Sequence, residues 1–334
     1  MAKFLIIRFS SIGDIVLTTP VIRCLKKQVP EAEIHYLVKG SFRSVLKHNP
    51  YIDKLHVLTG NLETIISELK KEEYDYVIDL HHNLRSLRVK NRLNKKSFSF
   101  QKLNIEKYIF TRLRLNFLPK VHIVDRYLKT VESFGVKNDG EGLDFFIAKQ
   151  DQIQNHFIPA SHHAGYIACV IGAGHETKKL PVHKWKEFCQ KSELPVILLG
   201  GNEDIAQGNA IAAVDPVKVF NSCGKFSINQ SADLIRRAVV VLSNDTGFMH
   251  IAAALKKPIV SLWGNTVPVF GMYPYYGEKF LAQQPRLPYD VVETKGLWCR
   301  PCSKLGYRKC PLGHFKCMEN IPVDGMIHSV KNRL

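Results

Sequence analysis

The amino-acid sequence predicts an α/β protein with two Rossmann-like, doubly wound domains that face each other across a cleft. A chain of 334 residues has the length of about two ordinary domains. Short β-branched apolar segments alternate with helical segments in the first half, and the alternation restarts after a polar stretch at residues 135–164. We therefore expect an N-terminal domain over 1–155, a C-terminal domain over 160–320, and a helix over 321–334 that could pack back on the N-terminal domain.

Each element of the first half is predicted from its residue pattern. Short apolar runs rich in Ile, Val, Leu and Tyr predict strands, and apolar residues recurring every three or four positions predict helices. The predicted strands are 3–8, 33–38, 54–58 and 76–80, and the predicted helices are 15–28 (with Pro20 in its first turns), 42–48, 62–71 and 124–134. A basic stretch after residue 80 interrupts this alternation.

The second half shows the same pattern. The predicted strands are 166–171, 196–199, 217–220, 239–242 and 258–262, and the predicted helices are 184–191, 203–213, 228–238 and 248–255. Strands that alternate with helices form parallel sheets, which bind ligands beyond the carboxyl ends of their strands. The loops that follow the strands are therefore where we expect the binding residues.

The composition excludes several classes of protein. Apolar residues make up 45% of the chain and charged residues 23%, which is typical of a folded domain and not of a disordered or coiled-coil chain. The longest apolar runs have about six residues, far below the roughly 20 that span a bilayer. The N-terminal residues do not form a signal-peptide pattern. We expect a cytoplasmic protein that could bind at the inner face of the cytoplasmic membrane.

The chain is strongly basic, with a formal net charge of +17. Residues 83–129 contain 13 Lys and Arg against two acidic residues, Glu106 and Asp125. A local excess of one sign favours an anionic partner, although a solvated face is the ordinary alternative. No nucleic-acid-binding motif and few interleaved aromatic residues occur in this stretch, so we do not expect nucleic acid as the partner. A non-catalytic scaffold on the same fold is a further alternative.

The loop after the first strand contains Ser11, Gly13 and Asp14, and a helix follows it. Ser and Asp at this position are common helix caps, which is the structural explanation. A carboxylate at the mouth of a cleft could also act as a general base towards a sugar hydroxyl.

Two loops of the second half are candidates for binding phosphate. The first contains Thr177 and Lys178 after two glycines, and it does not match a P-loop. The second is Ser243-Asn244-Asp245-Thr246-Gly247-Phe248-Met249-His250, where free amides at the start of a helix could bind a diphosphate. A capped helix with a core-facing His250 is the alternative. No D-x-D motif occurs, which disfavours a nucleotide diphosphate carried on a divalent ion, and we assign no metal ligand to the site.

Eight cysteines in a chain expected to be cytoplasmic argue against a disulfide framework. Four of them cluster as Cys299-x2-Cys302-x7-Cys310-x6-Cys317. One C-x-x-C is a fair signal for zinc, but the second pair lacks the close spacing of a zinc ribbon. We therefore favour free thiols in a loop-rich segment, with zinc as the alternative.

Several of these motifs occur together in a known order. They are the S-x-G-D turn after the first strand, the G-A-G…K-K-x-P loop, Leu198-Leu199-Gly200-Gly201-Asn202-Glu203-Asp204, S-N-D-T-G-x-M-H-x-A-A-A-L, and the C-terminal Cys-Pro-Leu-Gly-His segment. From about residue 3 to residue 320, the sequence resembles glycosyltransferase family 9, the ADP-heptose:lipopolysaccharide heptosyltransferases. The D-T-G-x-M-H block is the most specific part of this resemblance.

The resemblance implies a GT-B fold and an inverting, metal-independent transfer of heptose from ADP-L-glycero-β-D-manno-heptose to the inner core of lipopolysaccharide, with no cofactor. A related transferase that uses another nucleotide sugar for a cell-surface glycan is the alternative. The partners it implies are the ADP-heptose donor, the anionic lipopolysaccharide-core acceptor and, transiently, the inner membrane surface.

The resemblance also implies roles for individual residues. Asp14 matches the general base, Lys178 the lysine that contacts the donor phosphates, and Glu203 falls near the acid that holds the nucleoside. The other expected donor-binding residues are Thr177, Asp245, Thr246, Gly247 and His250, and the expected acceptor-binding residues are Ser11, Gly13, Arg85 and Arg88. The family often has Trp where this sequence has Leu180, which bears on donor specificity.

Overall fold

A computed structural model describes residues 2–334, which form two compact units with one parallel sheet each. The first unit runs to Leu103 and adds Val121–Phe146 and Gly277–Phe280. The second unit contains Asn104–Lys120, Ile147–Tyr276 and the chain from Leu281 to the C-terminus. The predicted α/β class with two parallel sheets is confirmed. Residues 104–120, expected in the N-terminal domain, cluster with the second unit.

The helices and strands alternate along both units. The strands are β1 (Lys3–Ile7), β2 (Glu33–Lys39), β3 (Lys54–Leu58), β4 (Tyr76–Asp79), β5 (Lys96–Ser99), β6 (Ile167–Val170), β7 (Val196–Leu199), β8 (Val219–Asn221), β9 (Val240–Asn244), β10 (Ile259–Trp263) and β11 (Tyr289–Glu293). The helices are α1 (Ile12–Val16), α2 (Thr19–Gln28), α3 (Arg43–Leu46), α4 (Leu62–Lys70), α5 (Leu84–Leu93), α6 (Asn104–Leu113), α7 (Ile123–Leu128), α8 (Val182–Lys191), α9 (Ile205–Ala212), α10 (Ile228–Arg237), α11 (Gly247–Ala254), α12 (Glu278–Leu281), α13 (Lys316–Glu319) and α14 (Val323–Lys331). Among residues 2–334, no helix combines the length and apolar character needed to cross a bilayer.

Each sheet has its earliest strand near the centre. The strand order is β3-β2-β1-β4-β5 in the first unit and β11-β10-β9-β6-β7-β8 in the second. All of these pairings are parallel, with Ile7 of β1 opposite both Leu37 and Asp79. In a parallel sheet with helices on both faces the inner strands are buried on both sides, and β6 and β7 are apolar and buried along their whole length.

The structure corrects several element boundaries. The helix predicted over 15–28 is two helices, α1 and α2, and Pro20 is the second residue of α2, where its missing N–H costs nothing. The basic stretch does not lack structure, since it contains α5, β5 and α6. The strands β5 and β11 escaped prediction because each has four or five residues at an edge of its sheet, with few buried apolar side chains to give a pattern.

The last helix, expected over 321–334, is α14. It packs against α8, β10 and β11 of the second unit. Its buried side chains are Val323, Met326 and Val330, which join the hydrophobic core around Trp185. The spacing of three and four residues explains why this segment forms a helix with one apolar face.

A buried arginine joins α2 to the segment that ends the first unit. The guanidinium of Arg23 contacts both carboxylate oxygens of Asp139 at 2.7 and 2.8 Å, the carbonyl oxygen of Gly142 at 2.8 Å and the carboxylate of Asp144. Burial raises the pKa of Asp139, but the hydrogen bond from Arg23, the hydrogen bond from the Glu141 amide and the charge of Arg23 together outweigh it and lower the pKa to about 2. The stabilisation from Asp139 is therefore complete above its ordinary pKa of 3.8 and is lost as the pH falls towards 2.

We expect Arg23→Met to lower the free energy of unfolding by about 3–5 kcal/mol, because it leaves two carboxylates without their buried partner. Urea denaturation at pH 7 measures this loss. Lys279→Met is the matched control, since it breaks an exposed ion pair to Glu141 in the same segment and should leave stability nearly unchanged. Equal stability of the two variants would contradict this role of Arg23.

Candidate active site

The candidate residues lie where the strand order of each sheet reverses. In the first unit the chain leaves β1 towards β2 and β3, and then continues from β4 to β5 on the other side. In the second unit it leaves β6 towards β7 and β8, and then continues from β9 to β10 and β11. Loops diverge at such a reversal and leave space beyond the carboxyl ends of the strands. The loops after β1 and β4 in the first unit, and those after β6 and β9 in the second unit, are therefore the candidate binding loops.

Asp14 is held at the start of α1 beside the end of β1. Its carboxylate accepts hydrogen bonds from the amide of Ser11 at 3.2 Å and from the hydroxyl of Ser11 at 2.8 Å. The guanidinium of Arg8 lies 2.7 Å from the other carboxylate oxygen. The side chain of Asp14 keeps 21% of its surface exposed. Ser11 thus caps the helix, as the structural explanation requires, and the carboxylate still reaches solvent.

Arg8 is the buried support of this carboxylate. It also donates to the carbonyl oxygen of Leu80 at 2.6 Å and to the hydroxyl of Tyr127 at 3.1 Å. Burial opposes the charge of Arg8, but the Asp14 carboxylate and the neighbouring tyrosines raise the pKa of the guanidinium above its ordinary value. Arg8 was not among the residues predicted from the sequence, where it stands as a lone arginine at the end of an apolar strand.

The loop after β4 places Arg85 and His81 against the same strand end. Asp79 is fully buried and accepts from the amides of His81 and His82 and from the hydroxyl of Ser86. The guanidinium of Arg85 lies 5.6 Å from the ring centre of Phe9, which directly follows Arg8. Burial, followed by the charges of Arg8 and Lys102, lowers the pKa of His81 to about 4, so the imidazole is neutral at pH 7.

The two arginines expected to bind the acceptor have different surroundings. Arg85 is beside Phe9, near the Asp14 loop. Arg88 instead forms an exposed ion pair of 2.7 Å with Glu63 of α4. Of the two, Arg85 is therefore better placed beside Asp14. Gly13 is buried within α1 and contributes backbone to this turn.

In the second unit, the structure joins the two predicted phosphate-binding loops through an ion pair. The ammonium of Lys178 lies 2.6 Å from a carboxylate oxygen of Asp245, and the hydroxyl of Thr266 donates to the same oxygen at 2.7 Å. Both charged side chains are largely buried. Two residues that are 67 positions apart in sequence thus meet beyond β6 and β9, which gives one cationic group at a fixed position.

Asn244, the last residue of β9, fixes the geometry between these loops. Its side-chain amide donates to the carbonyl oxygens of Val170 and Ile171, and its side-chain oxygen accepts from the amide of Leu180 at 3.2 Å. Asn244 is fully buried, so these bonds satisfy groups that water cannot reach. The sequence analysis quoted Asn244 within the motif but assigned it no role.

The helix α11 begins at Gly247, two residues after Asp245. Thr246 is its N-cap and Gly247 its first residue, so unpaired amides of the first turn lie beside the Lys178–Asp245 pair. His250 lies about one turn further along and is buried. A cationic lysine and a helix N-terminus at one place form an anion-binding arrangement.

Thr177 uses its hydroxyl within the protein. The hydroxyl accepts from the amide of Tyr307 at 2.8 Å and contacts the carbonyl oxygen of Tyr307 at 3.2 Å. The next lysine is also bound, because Lys179 pairs with buried Asp204 at 3.0 Å and with Glu176 at 2.8 Å. Lys178 is therefore the lysine of this loop whose side chain lies beside the start of α11.

Glu203 and Leu180 are the remaining residues with an expected bearing on the nucleotide part of the donor. Glu203 is exposed in the loop after β7 and its carboxylate lies close to the backbone of Gly201. Leu180 and Trp185 are both buried in the core of the second unit. Leu180 therefore presents its backbone amide to Asn244, and neither its side chain nor the indole of Trp185 faces solvent.

The chain is similar in sequence to known glycosyltransferases over most of its length. Residues 63–282 match the family model for glycosyltransferase family 9 (heptosyltransferase). The chain is 26% identical to lipopolysaccharide heptosyltransferase 1 of Campylobacter coli over 79% of this chain and 84% of that protein. It is 27% identical to lipopolysaccharide heptosyltransferase 3 of Escherichia coli K12 over 77% and 81% of the two chains.

Solved structures share the fold over almost the whole chain. A family 9 glycosyltransferase from Veillonella parvula has a TM-score of 0.78 at 22% identity and covers 99% of this chain and 97% of its own. The ADP-heptose heptosyltransferase II of Escherichia coli has a TM-score of 0.73 at 19% identity, with 99% and 98% covered. The GT-B fold implied by the sequence is thus confirmed. This chain belongs to glycosyltransferase family 9 and is a glycosyltransferase.

Proposed function

We propose that this enzyme transfers heptose from ADP-L-glycero-β-D-manno-heptose to the inner core of lipopolysaccharide, with inversion and without a divalent cation at the diphosphate. The observation that carries the proposal is the Lys178–Asp245 pair beside the first turn of α11. Relatives named lipopolysaccharide heptosyltransferases support it, as do Escherichia coli heptosyltransferases solved with ADP and with ADP-2-deoxy-2-fluoro heptose.

In the second unit, Lys178 and the start of α11 are placed to bind the negatively charged diphosphate of the donor. An ammonium group has three N–H donors, and Asp245 takes one of them, so Lys178 keeps two for phosphate oxygens. The amides of Thr246 and Gly247 add the positive end of α11. As the bond from the anomeric carbon to phosphate breaks, negative charge grows on the leaving ADP, and these fixed donors stabilise it. His250 and the loop residues Thr177 and Glu203 complete the proposed donor site.

We expect micromolar binding of ADP-heptose and ADP in the presence of EDTA, with UDP-glucose and GDP-mannose as weak competitors. In Lys178→Met, kcat should fall about 10²–10³-fold because a charge-stabilising contact is lost. Calorimetry and transfer assays measure the two effects. Lys186→Met on α8 is the matched control and should behave as the wild type. Preference for a uridine or guanosine donor would overturn the proposed substrate, and wild-type kcat in Lys178→Met would overturn the proposed role.

The first unit supplies the base. Asp14 takes the proton of the acceptor hydroxyl as the hydroxyl oxygen attacks the anomeric carbon from the face opposite ADP. The new carbon–oxygen bond forms, the bond to phosphate breaks, and the proton remains on the Asp14 carboxyl. Ser11 and Arg8 hold the carboxylate in one orientation, which keeps the accepting oxygen in place.

Asp14→Asn should lower kcat by about 10²–10⁴-fold, because the amide accepts no proton, and should leave the Kd for ADP-heptose unchanged. Steady-state transfer assays and calorimetry distinguish these effects. Glu68→Gln, on the exposed side of α4, is the control for a lost carboxylate in the same unit. A kcat within a few-fold of the wild type would contradict the role of Asp14.

We also propose that the acceptor is bound through its negative charge beside Asp14. Arg8 already pairs with Asp14, and Arg85 lies beside the same loop through its contact with Phe9. Phosphate and carboxylate groups of a lipopolysaccharide core are suited to a planar guanidinium, which donates two parallel hydrogen bonds. Arg88, already paired with Glu63, is a weaker candidate for the same contact.

A lipopolysaccharide-core acceptor is anchored in a membrane. The second unit has an exposed surface with the apolar and basic side chains that bind membranes. We define the apolar-basic surface as the exposed apolar side chains of residues 104–117 and 298–305 together with the cations between them. Its exposed apolar side chains are Ile105, Tyr108, Leu113, Leu115, Phe117, Trp298 and Leu305. Arg114 donates to the carbonyl oxygen of Trp298, and Lys304 donates to the side chain of Asn104, so the two segments lie together. Aromatic and basic groups on one face are typical of binding to anionic membranes.

The double variant Tyr108→Ser, Phe117→Ser should lower partitioning onto phosphatidylglycerol vesicles by at least about ten-fold, because two aromatic anchors are lost. Co-sedimentation at low and high salt measures it. Val217→Ser, at another exposed apolar residue of the same unit, should bind like the wild type. Equal partitioning of all three proteins would contradict membrane contact through this surface.

A further inference from the structure

A buried cluster of two histidines, a tyrosine and a glutamate lies in the first unit. His35 is the third residue of β2, and His56 is the third residue of β3. Glu72 and Tyr74 belong to the turn between α4 and β4. All four residues are close to the amino ends of parallel strands, whereas Asp14 follows the carboxyl end of β1. The cluster therefore lies at the opposite edge of the sheet from the proposed base.

The polar atoms of this cluster have the spacing of ligands around a metal ion. The Nδ1 atom of His35 lies 3.1 Å from Nε2 of His56, and the Tyr74 hydroxyl lies 2.9 Å from the first nitrogen and 3.0 Å from the second. A carboxylate oxygen of Glu72 lies 3.8 Å from Nδ1 of His35. Tetrahedral bonds of about 2.0–2.1 Å to zinc place the ligand atoms roughly 3.3 Å apart. The cluster is therefore close to the size of a zinc site.

The cysteines near the C-terminus do not form a comparable group. Among residues 2–334, three ligand atoms of His, Cys, Asp or Glu side chains come within 4.8 Å of one another only at His35, His56 and Glu72. The cysteines of residues 299–317, weighed above as zinc ligands from their spacing in the sequence, are not part of such a group. The geometry favours the histidine cluster as the place for a metal ion.

The hydrogen bonds of the cluster leave lone pairs directed at its centre. Nε2 of His35 donates to a carboxylate oxygen of Glu33 at 2.8 Å, because an ionised carboxylate only accepts. Burial lowers the pKa of His35, so its imidazole is neutral at pH 7 and keeps no proton on Nδ1. The Tyr74 hydroxyl and Nε2 of His56 then supply at most two protons for the three contacts. A bound cation would accept a lone pair from each of these atoms.

The surroundings of the cluster suit a metal site that is closed on one side and open on the other. Both imidazoles and the Tyr74 side chain are buried, while the Glu72 side chain keeps 17% of its surface exposed and gives access from solvent. The carboxylate of Glu33 orients the ring of His35 from the outside. A carboxylate behind a histidine is the usual second contact of a histidine that binds metal.

Two lysines compete with a cation for the carboxylates. Lys54 pairs with Glu72 at 2.5 Å, and Lys3 lies 3.1 Å from Glu33 and 3.7 Å from Glu72. These pairs balance the two carboxylates when no ion is bound, and a divalent cation adds two positive charges beside them. The lysines should therefore limit the affinity for metal, and removal of the half-exposed Lys54 should raise it.

We propose that Nδ1 of His35, Nε2 of His56 and a carboxylate oxygen of Glu72 bind one divalent transition-metal ion, zinc in the first instance, with the Tyr74 hydroxyl at the fourth position. Two imidazoles and one carboxylate with a further oxygen form a donor set that binds zinc. On binding, His56 keeps its proton on Nδ1, each ligand atom shares a lone pair with the metal, and no oxidation state changes. The ion joins β2, β3 and the turn before β4, so the site is structural.

Anomalous scattering at the zinc absorption edge, from crystals of the wild type grown with zinc, should give a peak between His35, His56 and Glu72. This measurement needs no variant, so it does not depend on how a substituted cluster folds. Zinc should also raise the Tm of the wild type by several degrees, because it binds only the folded chain. The absence of a peak at this place, or a peak only at the cysteines of residues 299–317, would overturn the inference.

Variants test the ligand set by competition for zinc with a chromophoric chelator. Glu72→Gln should bind zinc at least about ten-fold more weakly, because a neutral amide replaces a charged ligand. Glu73→Gln, at the exposed neighbouring carboxylate, is the matched control and should bind like the wild type. Lys54→Met should bind at least about three-fold more tightly, since it removes the competing charge. Wild-type affinity in Glu72→Gln would contradict the ligand set, and weaker binding in Lys54→Met would contradict the competition.

This inference does not rest on the proposed function. Neither Asp14 nor Lys178 belongs to the cluster, and the proposed donor site lies in the other unit. Failure of the zinc-bound wild type to bind ADP would therefore refute only the proposed function.

Discussion

The direction in which each sheet is wound determines where chemistry is possible in this enzyme. Parallel strands place all their carboxyl ends at one edge of a sheet, and the reversal of order beside β1 in one sheet and beside β6 in the other opens space at that edge of each sheet. Asp14 follows β1, and the Lys178–Asp245 pair joins the loops after β6 and β9. The strand-end loops of the first unit therefore hold a carboxylate, and those of the second hold a lysine ammonium beside the start of a helix.

Buried polar side chains convert these loops into fixed geometry. Asn244 donates to the carbonyl oxygens of Val170 and Ile171 and accepts from the amide of Leu180, and Asp79 accepts from the amides of His81 and His82 after β4. A loop held only by exposed contacts would sample many conformations, and each would lower the fraction of enzyme ready to bind substrate. In both units, one buried side chain at the end of a strand fixes the following loop through several hydrogen bonds.

The sequence could predict where the candidate residues lie in the fold, but not the contacts among them. The motifs around Asp14, Lys178 and Thr246 are local signals, and the structure has these residues in the segments that follow strands, as predicted. Partners such as Thr266 for Asp245, or Tyr307 for Thr177, lie far apart in the chain and become neighbours only through the fold. The same limit explains why residues 104–120 looked like part of the N-terminal domain, since their contacts are with the second unit.

The net charge of +17 does not show where the excess positive charge lies, because buried cations in this protein are paired with carboxylates. The cations beside the candidate loops are balanced individually: Arg8 by Asp14, Lys178 by Asp245, and Lys179 by Asp204. Burial requires such pairing, because an isolated charge inside a protein costs many kcal/mol. The excess of positive charge is therefore carried by the exposed surface, where it attracts anionic partners over distances of roughly a Debye length. The paired charges fix the positions of side chains, so the attraction of an anionic partner and the geometry of the candidate loops depend on different groups of cations.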